Sequence, residues 1–296
     1  MSELVTINTE NYATMARAMG LPVSSGEKKV NTLNRLKIQH KPIIGDDKVL
    51  VKAGSLLLEN VGEENTYYYA EKAKFRPFLQ RFLYKRYYQD INRYSTTIMA
   101  DNLNIDLKDD YGTFNCGKPT GYVKDFQALP EKTKAIIKAV KRQRAVFGTL
   151  ELEKPVKLVD GKEVKGDLPK FPTIWEIGSN ILYKDMGDIF SRFLKMERLP
   201  LQHVIELYDT ENYYTSGTGE KYYKPLLKVD YTKKAEISED DHKMFGDFLD
   251  WIKAHNDNVT RKWDEQVAER QGDVSEEDAK TVEQFIDVEL ETDEKQ

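Results

Sequence analysis

The sequence predicts an α+β fold: a β-rich body, either an OB-like barrel or an antiparallel sheet, with packed helices and an acidic C-terminal tail. Three observations carry that expectation. Between about residues 30 and 231, short runs alternate apolar and polar side chains at the strand period, and turn residues separate them. Residues 180–199 and 238–252 instead space their apolar side chains at the helical period. Ten acidic residues fall within 273–296, where only two lysines answer them. The expected organisation is an N-terminal arm (1–29), the body (30–235), a C-terminal helix (236–272) and a flexible tail (273–296).

With 40% hydrophobic and 32% charged residues, the 296-residue chain can bury a large core beneath highly charged faces. No apolar run approaches the ~20 residues of a membrane span. The N-terminus has no basic stretch followed by an apolar core, so the expected location is the cytoplasm and no membrane partner is foreseen. A lone cysteine, Cys116, and four scattered histidines cannot supply a disulfide or a thiolate-rich metal site. No metal or cofactor is expected.

Within the arm, Tyr12, Met15 and Met19 share one face of a short candidate helix, which Gly20, Pro22 and Gly26 break. The arm could dock on the body or support self-association. Leu36 and Ile38 alternate with Arg35 and Lys37 as a strand, and two short strands, 49–52 and 55–58, flank Gly54.

The segment 74–94 (KFRPFLQRFLYKRYYQDINRY) holds six cations, Lys74, Arg76, Arg81, Lys85, Arg86 and Arg93, against one acid, Asp90. Seven aromatics interleave with them: Phe75, Phe78, Phe82, Tyr84, Tyr87, Tyr88 and Tyr94. Cations pair with phosphates and aromatic faces stack on unpaired bases, so the mixture suits a surface for single-stranded nucleic acid. The competing reading is a core element with a solvated basic side. Phe75, Phe78 and Phe82 fit one helix face, whereas 81–88 reads as a strand.

Asp101, Asp106, Asp109 and Asp110 lie close in sequence and raise a metal-dependent nuclease, but their spacing matches no loop template and a solvated loop fits better. The following glycine-hinged segment, with Tyr111, Phe114, Lys118, Tyr122, Lys124 and Phe126, reads as a loop lying over a strand of nucleic acid or as a simple hairpin connection. Pro130 and Glu131 open a helix whose apolar stripe is Ile136, Ile137 and Val140 and whose other side is basic. It runs into an obvious strand near Arg144, so Lys138, Lys141, Arg142 and Arg144 form a candidate second lip of a groove.

Asp160-Gly161 marks a hairpin turn, and 171–178 resumes a strand whose Trp175 is either core or a stacking ring. Ile181, Met186, Ile189, Phe190, Phe193 and Leu194 form a helical stripe for packing on the sheet. Strands at 203–208 and 222–231 flank a loop, with Tyr213, Tyr214, Tyr222 and Tyr223 around its turn. Ser238 with the acids after it caps a last helix, buried through Met244, Phe245, Phe248, Leu249 and Ile252.

The overall charge of −5 argues against a polyanion until it is divided. The tail alone carries −8, which leaves residues 1–272 with 43 basic and 40 acidic side chains, a net of +3. A mildly basic body with an acidic tail is the asymmetry of an interaction tail able to compete for a cationic groove.

In the β-rich body, the run RPFLQRFLYKRYYQ, the segment CGKPTGYVKDF before a basic helix, and the acidic tail, the chain resembles the single-stranded-DNA-binding proteins of tailed phages. The resemblance implies a non-enzymatic protein that coats unwound DNA during replication or recombination; the residues themselves leave RNA open as the alternative strand. It also implies that the tail recruits replication or recombination proteins. The chain departs from zinc-containing members of that family, because one cysteine cannot supply their ligands, and it lacks an aromatic residue at its extreme C-terminus.

The nucleic-acid-binding residues expected on both grounds are Arg76, Arg81, Tyr84, Lys85, Arg86, Tyr87, Tyr88, Arg93, Lys118, Tyr122, Lys124, Lys138, Lys141, Arg142 and Arg144. The main alternative is a structural or interaction protein of a virion or assembly, and a nuclease using Asp106, Asp109 and Asp110 is a third reading. Exposure of Tyr87, Tyr88 and Tyr122 beside Arg81 or Arg86 is the discriminating observation.

Overall fold

In the computed structural model, the described residues are 33–45, 48–59, 66–89, 91–120, 125–160, 162–164, 171–178, 180–210, 213–215, 219 and 221–273. The expected N-terminal arm, the tail beyond Asp273, Tyr122 and Lys124 lie outside them.

Two long neighbouring strands organise the body. These are β6 (Lys72–Tyr88) and β8 (Lys141–Glu153), antiparallel and in register from Lys72↔Glu153 to Lys85↔Lys141. On the far side of β8 come β11 (Phe171–Ile177), β1 (Asn34–Ile38), β4 (Leu56–Glu59), β5 (Thr66–Ala70), β9 (Val156–Val159) and β10 (Lys162–Val164). On the far side of β6 lie β12 (Ile205–Tyr208) and β15 (Leu226–Val229), while β7 (Arg93–Thr96) pairs with the other end of β6. Among the described residues this makes an 11-stranded sheet, antiparallel except where β1 runs parallel to β11. Two small ribbons stand apart: β2 (Ile43–Gly45) with β3 (Lys48–Val51), and β13 (Tyr213–Thr215) with β14 (Lys221–Tyr223).

The expected OB-like barrel is corrected, for the sheet is open, with β10 and β15 as unjoined edges. Helices cover both faces, so closure is not needed to bury them. The period of two assigns those faces. Val146, Leu150 and Trp175 point to one core cluster with Leu182, Met186 and Phe193 of α2 (Asn180–Lys195). Ala145, Phe147 and Ile174, one residue out of phase, point to a second cluster with Phe248 and Ile252 of α3 (Glu239–Asp273). The two helices therefore lie on opposite sides of the sheet.

A bulge in β6 explains the helix-like spacing of its phenylalanines. Pro77 pairs with Gly148 and Leu79 with Phe147, so Phe78 is an extra residue. Proline has no N–H to lose to the ladder there. Gly148 is required opposite, since a Cβ would lie 2.3 Å from the Arg76 carbonyl oxygen. The extra residue switches faces: Phe75 packs in the α2 cluster, whereas Phe78, Leu79 and Leu83 pack in the α3 cluster. The helix alternative for this stretch gives way to one continuous strand, and Trp175 is core, 2% exposed.

α3 begins as its sequence foretells. The Ser238 hydroxyl accepts from the Asp241 N–H at 3.2 Å, and the Asp241 carboxylate accepts from the Ser238 N–H at 2.9 Å, a reciprocal cap. Farther along, Asn256 accepts from the Met99 N–H and donates to the Met99 carbonyl, pinning the helix to the chain after β7. α1 (Glu131–Ala139) has no fully buried residue. Lys141 and Arg142 already belong to β8 rather than to that helix. Among the described residues no helix is long and apolar enough to cross a membrane.

Candidate nucleic-acid interface

The expected cations separate into two populations according to what they touch. Arg76 makes a bidentate pair with Asp241, at 2.8 and 3.0 Å. Arg81 pairs with Asp101 at 3.1 Å, and Lys85 with Glu176 at 2.6 Å. Arg93 turns to Asp110 at 3.3 Å. All four are neutralised by carboxylates within the body, and Arg76, half-buried beneath the start of α3, is a structural residue. Arg86, Lys118, Lys138, Lys141, Arg142 and Arg144 have no carboxylate partner among the described residues.

Four of the unneutralised cations share the α2 side of the sheet. Gln80, Phe82, Tyr84, Arg86 and Tyr88 follow one another at the strand period, and Arg142 and Arg144 stand opposite Tyr84 and Phe82. Arg86 lies over the Tyr88 ring, 4.3 Å from its centroid, and donates to the Cys116 carbonyl at 3.3 Å. Tyr88 in turn stacks on Tyr111 at 4.6 Å. The Lys118 ammonium sits 5.1 Å from the Tyr84 centroid. Arg142 and Arg144 contact the same ring of α2, that of Tyr183, at 4.6 and 4.5 Å, and Arg144 also lies 5.0 Å from Phe82. Cations and rings thus alternate along the face, held by attraction to ring quadrupoles, with Arg86 also donating to the Cys116 carbonyl.

This arrangement concentrates like charge. Burial, then the charge of Arg142, lowers the Lys118 ammonium below its ordinary pKa. Burial also lowers Arg144, which is 8% exposed, with Arg142 again contributing against partial relief from Tyr183 and Asp188. Its guanidinium donates to the Gln80 side-chain oxygen, while its Nε has no partner. The Nε of Arg86 is likewise buried and unpaired.

The expected aromatic set is divided too. Tyr84 is corrected from stacking ring to core: it is 6% exposed, packed with Leu107, Cys116 and Val140 beneath Lys118. Tyr88 is half-buried beside Arg86. Tyr87, 39% exposed, points to the opposite side, where it packs on the exposed Tyr94 at 4.8 Å. Lys138 and Lys141 are exposed where α1 meets β8, and the Lys141 ammonium donates to the Lys138 carbonyl.

The acidic loop is built for structure. Asp109 is fully buried and accepts from the Tyr111, Thr113 and Cys116 N–H groups and the Thr113 hydroxyl. Asp110 accepts from the Thr96 N–H and from Arg93, while Asp106 accepts from Asn115 and Thr120. Among the described residues no three His, Cys, Asp or Glu side chains gather where a metal ion could be held. Cys116 is buried in a left-handed turn, and burial, then Asp109, pushes its thiol up to about 12.

Sequence reasoning missed Tyr183 as the ring that holds the arginines. It sits within an apolar stripe, and only the layer order reveals which sheet face α2 covers. Leu194, expected to pack on the sheet, is 78% exposed at the mouth of a cleft between β8 and α2. No family model, curated protein or solved structure matches the chain.

Proposed function

We propose that the protein binds single-stranded DNA without catalysing a reaction on it, protecting unwound strands during replication or recombination. The observation that carries this reading is the sorting of the cations. Four of them, Arg86, Lys118, Arg142 and Arg144, collect on one sheet face, interleaved with rings and with no carboxylate ion pair among the described residues, while the neighbouring cations are internally paired. Phosphates fit this set because they relieve its mutual repulsion, and each exposed or half-exposed ring offers a base a stacking partner. The resemblance of the run RPFLQRFLYKRYYQ to phage single-stranded-DNA-binding proteins supports the same reading. In it, the acidic tail recruits partner proteins and competes with DNA for the cationic face in the cytoplasm.

The burial of Tyr84 favours a second reading, an interaction or assembly protein whose aromatic run is chiefly core. Titration of fluorescent oligo-dT separates the two. For single strands, neutralising four phosphates gives a slope of log K against log salt of roughly −3. Binding with such a slope, tightened by deletion of residues 273–296, supports the proposal. No binding at low salt, in the full chain and the truncated one alike, overturns it.

A further inference from the structure

The cleft between β8 and α2 has a volume of about 820 Å³ and lies at the end of the cationic face. Its lining combines chemistries that are otherwise kept apart. On one side stand the guanidiniums of Arg142 and Arg144, on the other the apolar side chains of Phe190, Leu194 and Leu199. Leu194 and Leu199 are 78% and 55% exposed, an unusual position for two neighbouring leucines unless something covers them.

We propose that this cleft is a single-nucleotide pocket, in which one base of a bound strand leaves its neighbours and rests on the Phe190, Leu194 and Leu199 lip while its phosphate meets Arg142 and Arg144. The proposal rests on the strand-binding reading for the source of the nucleotide. The size suits it, because pockets for small ligands span about 300–1,000 Å³. Arg144 is more than nine-tenths buried, lines the cleft, and keeps an Nε without a partner. That Nε is out of contact with solvent, so it gains a partner only as the guanidinium turns toward an anion in the cleft. Two guanidiniums on one tyrosine ring are poised against their own repulsion, which an incoming phosphate removes. Among the described lining residues the one carboxylate, Asp188, is an acceptor suited to the exocyclic amine of a base and not to its phosphate. Lipid headgroups and acidic peptides supply the anion but no flat ring for the apolar lip.

Gly187 provides the means to test this without harming the fold. A Cβ at Gly187 would lie 2.8 Å from the Arg144 Nη2, the far end of a flexible side chain that can swing away. Alanine also favours a helix interior over glycine, so G187A displaces the guanidinium while supporting α2. Calorimetric titration of the full chain with deoxyadenosine 5′-monophosphate is expected to saturate at one site. G187A and L194D are each expected to weaken it by about tenfold or more, with the thermal midpoint of G187A unchanged or raised, and oligo-dT is expected to displace the nucleotide.

Unchanged nucleotide affinity in G187A, or equal binding of glycerol 3-phosphate, overturns the pocket. Failure of the nucleotide to bind while oligo-dT binds normally overturns the pocket and leaves strand binding standing. A nucleotide that binds, is weakened by G187A and is not displaced by oligo-dT belongs to a free-nucleotide site, which overturns the strand source.

Discussion

The Lys85 ammonium lies 2.7 and 2.6 Å from the two carboxylate oxygens of Glu176, one residue along β6 from Arg86, which no carboxylate approaches among the described residues. Adjacent strand positions face opposite sides, so the same basic run presents a neutralised flank and a charged one. R86E and R142E are expected to weaken oligo-dT binding by roughly tenfold or more, and neutral variants to reduce the salt slope by about 0.7 for each phosphate that is no longer neutralised. K85Q and R81Q are expected to leave affinity within about twofold, since their charges are already paired. Fluorescence anisotropy across a salt series reads both numbers.

Arg76 is expected to matter for stability and not for DNA. Its side chain and that of Asp241 are 15% and 12% exposed, and the guanidinium also donates to the Leu201 carbonyl at 2.6 Å. Burial raises the Asp241 pKa, but the Ser238 N–H and hydroxyl together with Arg76 outweigh it, and the net direction is down. Removing one member of such a pair strands the other, at a cost of about 3 kcal/mol or more. R76A is therefore expected to lower the urea midpoint markedly while the folded fraction binds oligo-dT as tightly as before. The double change R76M with D241N is expected to recover much of the loss, because no lone charge remains and the amide oxygen can still accept from the Ser238 N–H.

Much of this organisation is legible in the sequence where it is local. Alternation marks Leu36 in β1 and Ile205 in β12, and Ser238 announces α3 through its own cap. The phenylalanine spacing of β6 misleads because 75, 78 and 82 would share one helix face, whereas in the strand Phe78 is the extra residue of a bulge at Pro77 and packs on the opposite side from Phe75. What decides the site is non-local. Arg76 and Asp241 are 165 residues apart, and Lys85 and Glu176 are 91 apart. Cation counting cannot show which charges are already spent on such partners. Nor can the apolar stripe of α2 reveal that Tyr183 faces two arginines, since that depends on the layer each helix takes.

Acidification should destabilise the fold through its buried histidines. Burial holds His255 below its ordinary pKa, and it stacks on Trp251 with its Nε2 placed 3.3 Å from the Thr97 carbonyl. His203, flat against Phe193 at 4.6 Å, is lowered by burial and then by Arg198. In the unfolded chain each titrates near 6.5, so below that pH the unfolded state binds more protons than the native one and stability falls. The urea midpoint is expected to drop between about pH 7 and about pH 5.5. His255→Gln, which can still donate to Thr97, is expected to flatten that dependence; an unchanged slope would remove His255 from the account.

Cys116 makes the cover over Tyr84 measurable. Its thiol is fully buried, lies 3.7 Å from the Tyr84 carbonyl, and is pushed up to about 12 by burial and then by Asp109. Only the thiolate reacts, so two barriers, access and ionisation, protect it in the native state. Reaction with a disulfide reagent is therefore expected only when the segment carrying Asn115, Cys116 and Lys118 lifts from β6. Because Arg86 donates to the Cys116 carbonyl and Lys118 sits over Tyr84, the same lifting would dismantle one end of the cationic face. Oligo-dT binding to that face favours the closed state and is expected to slow the labelling in proportion to occupancy, by linkage. R86Q is expected to speed labelling without ligand, since it loosens the closure. A labelling rate indifferent to both DNA and R86Q would show that the segment opens independently of the face.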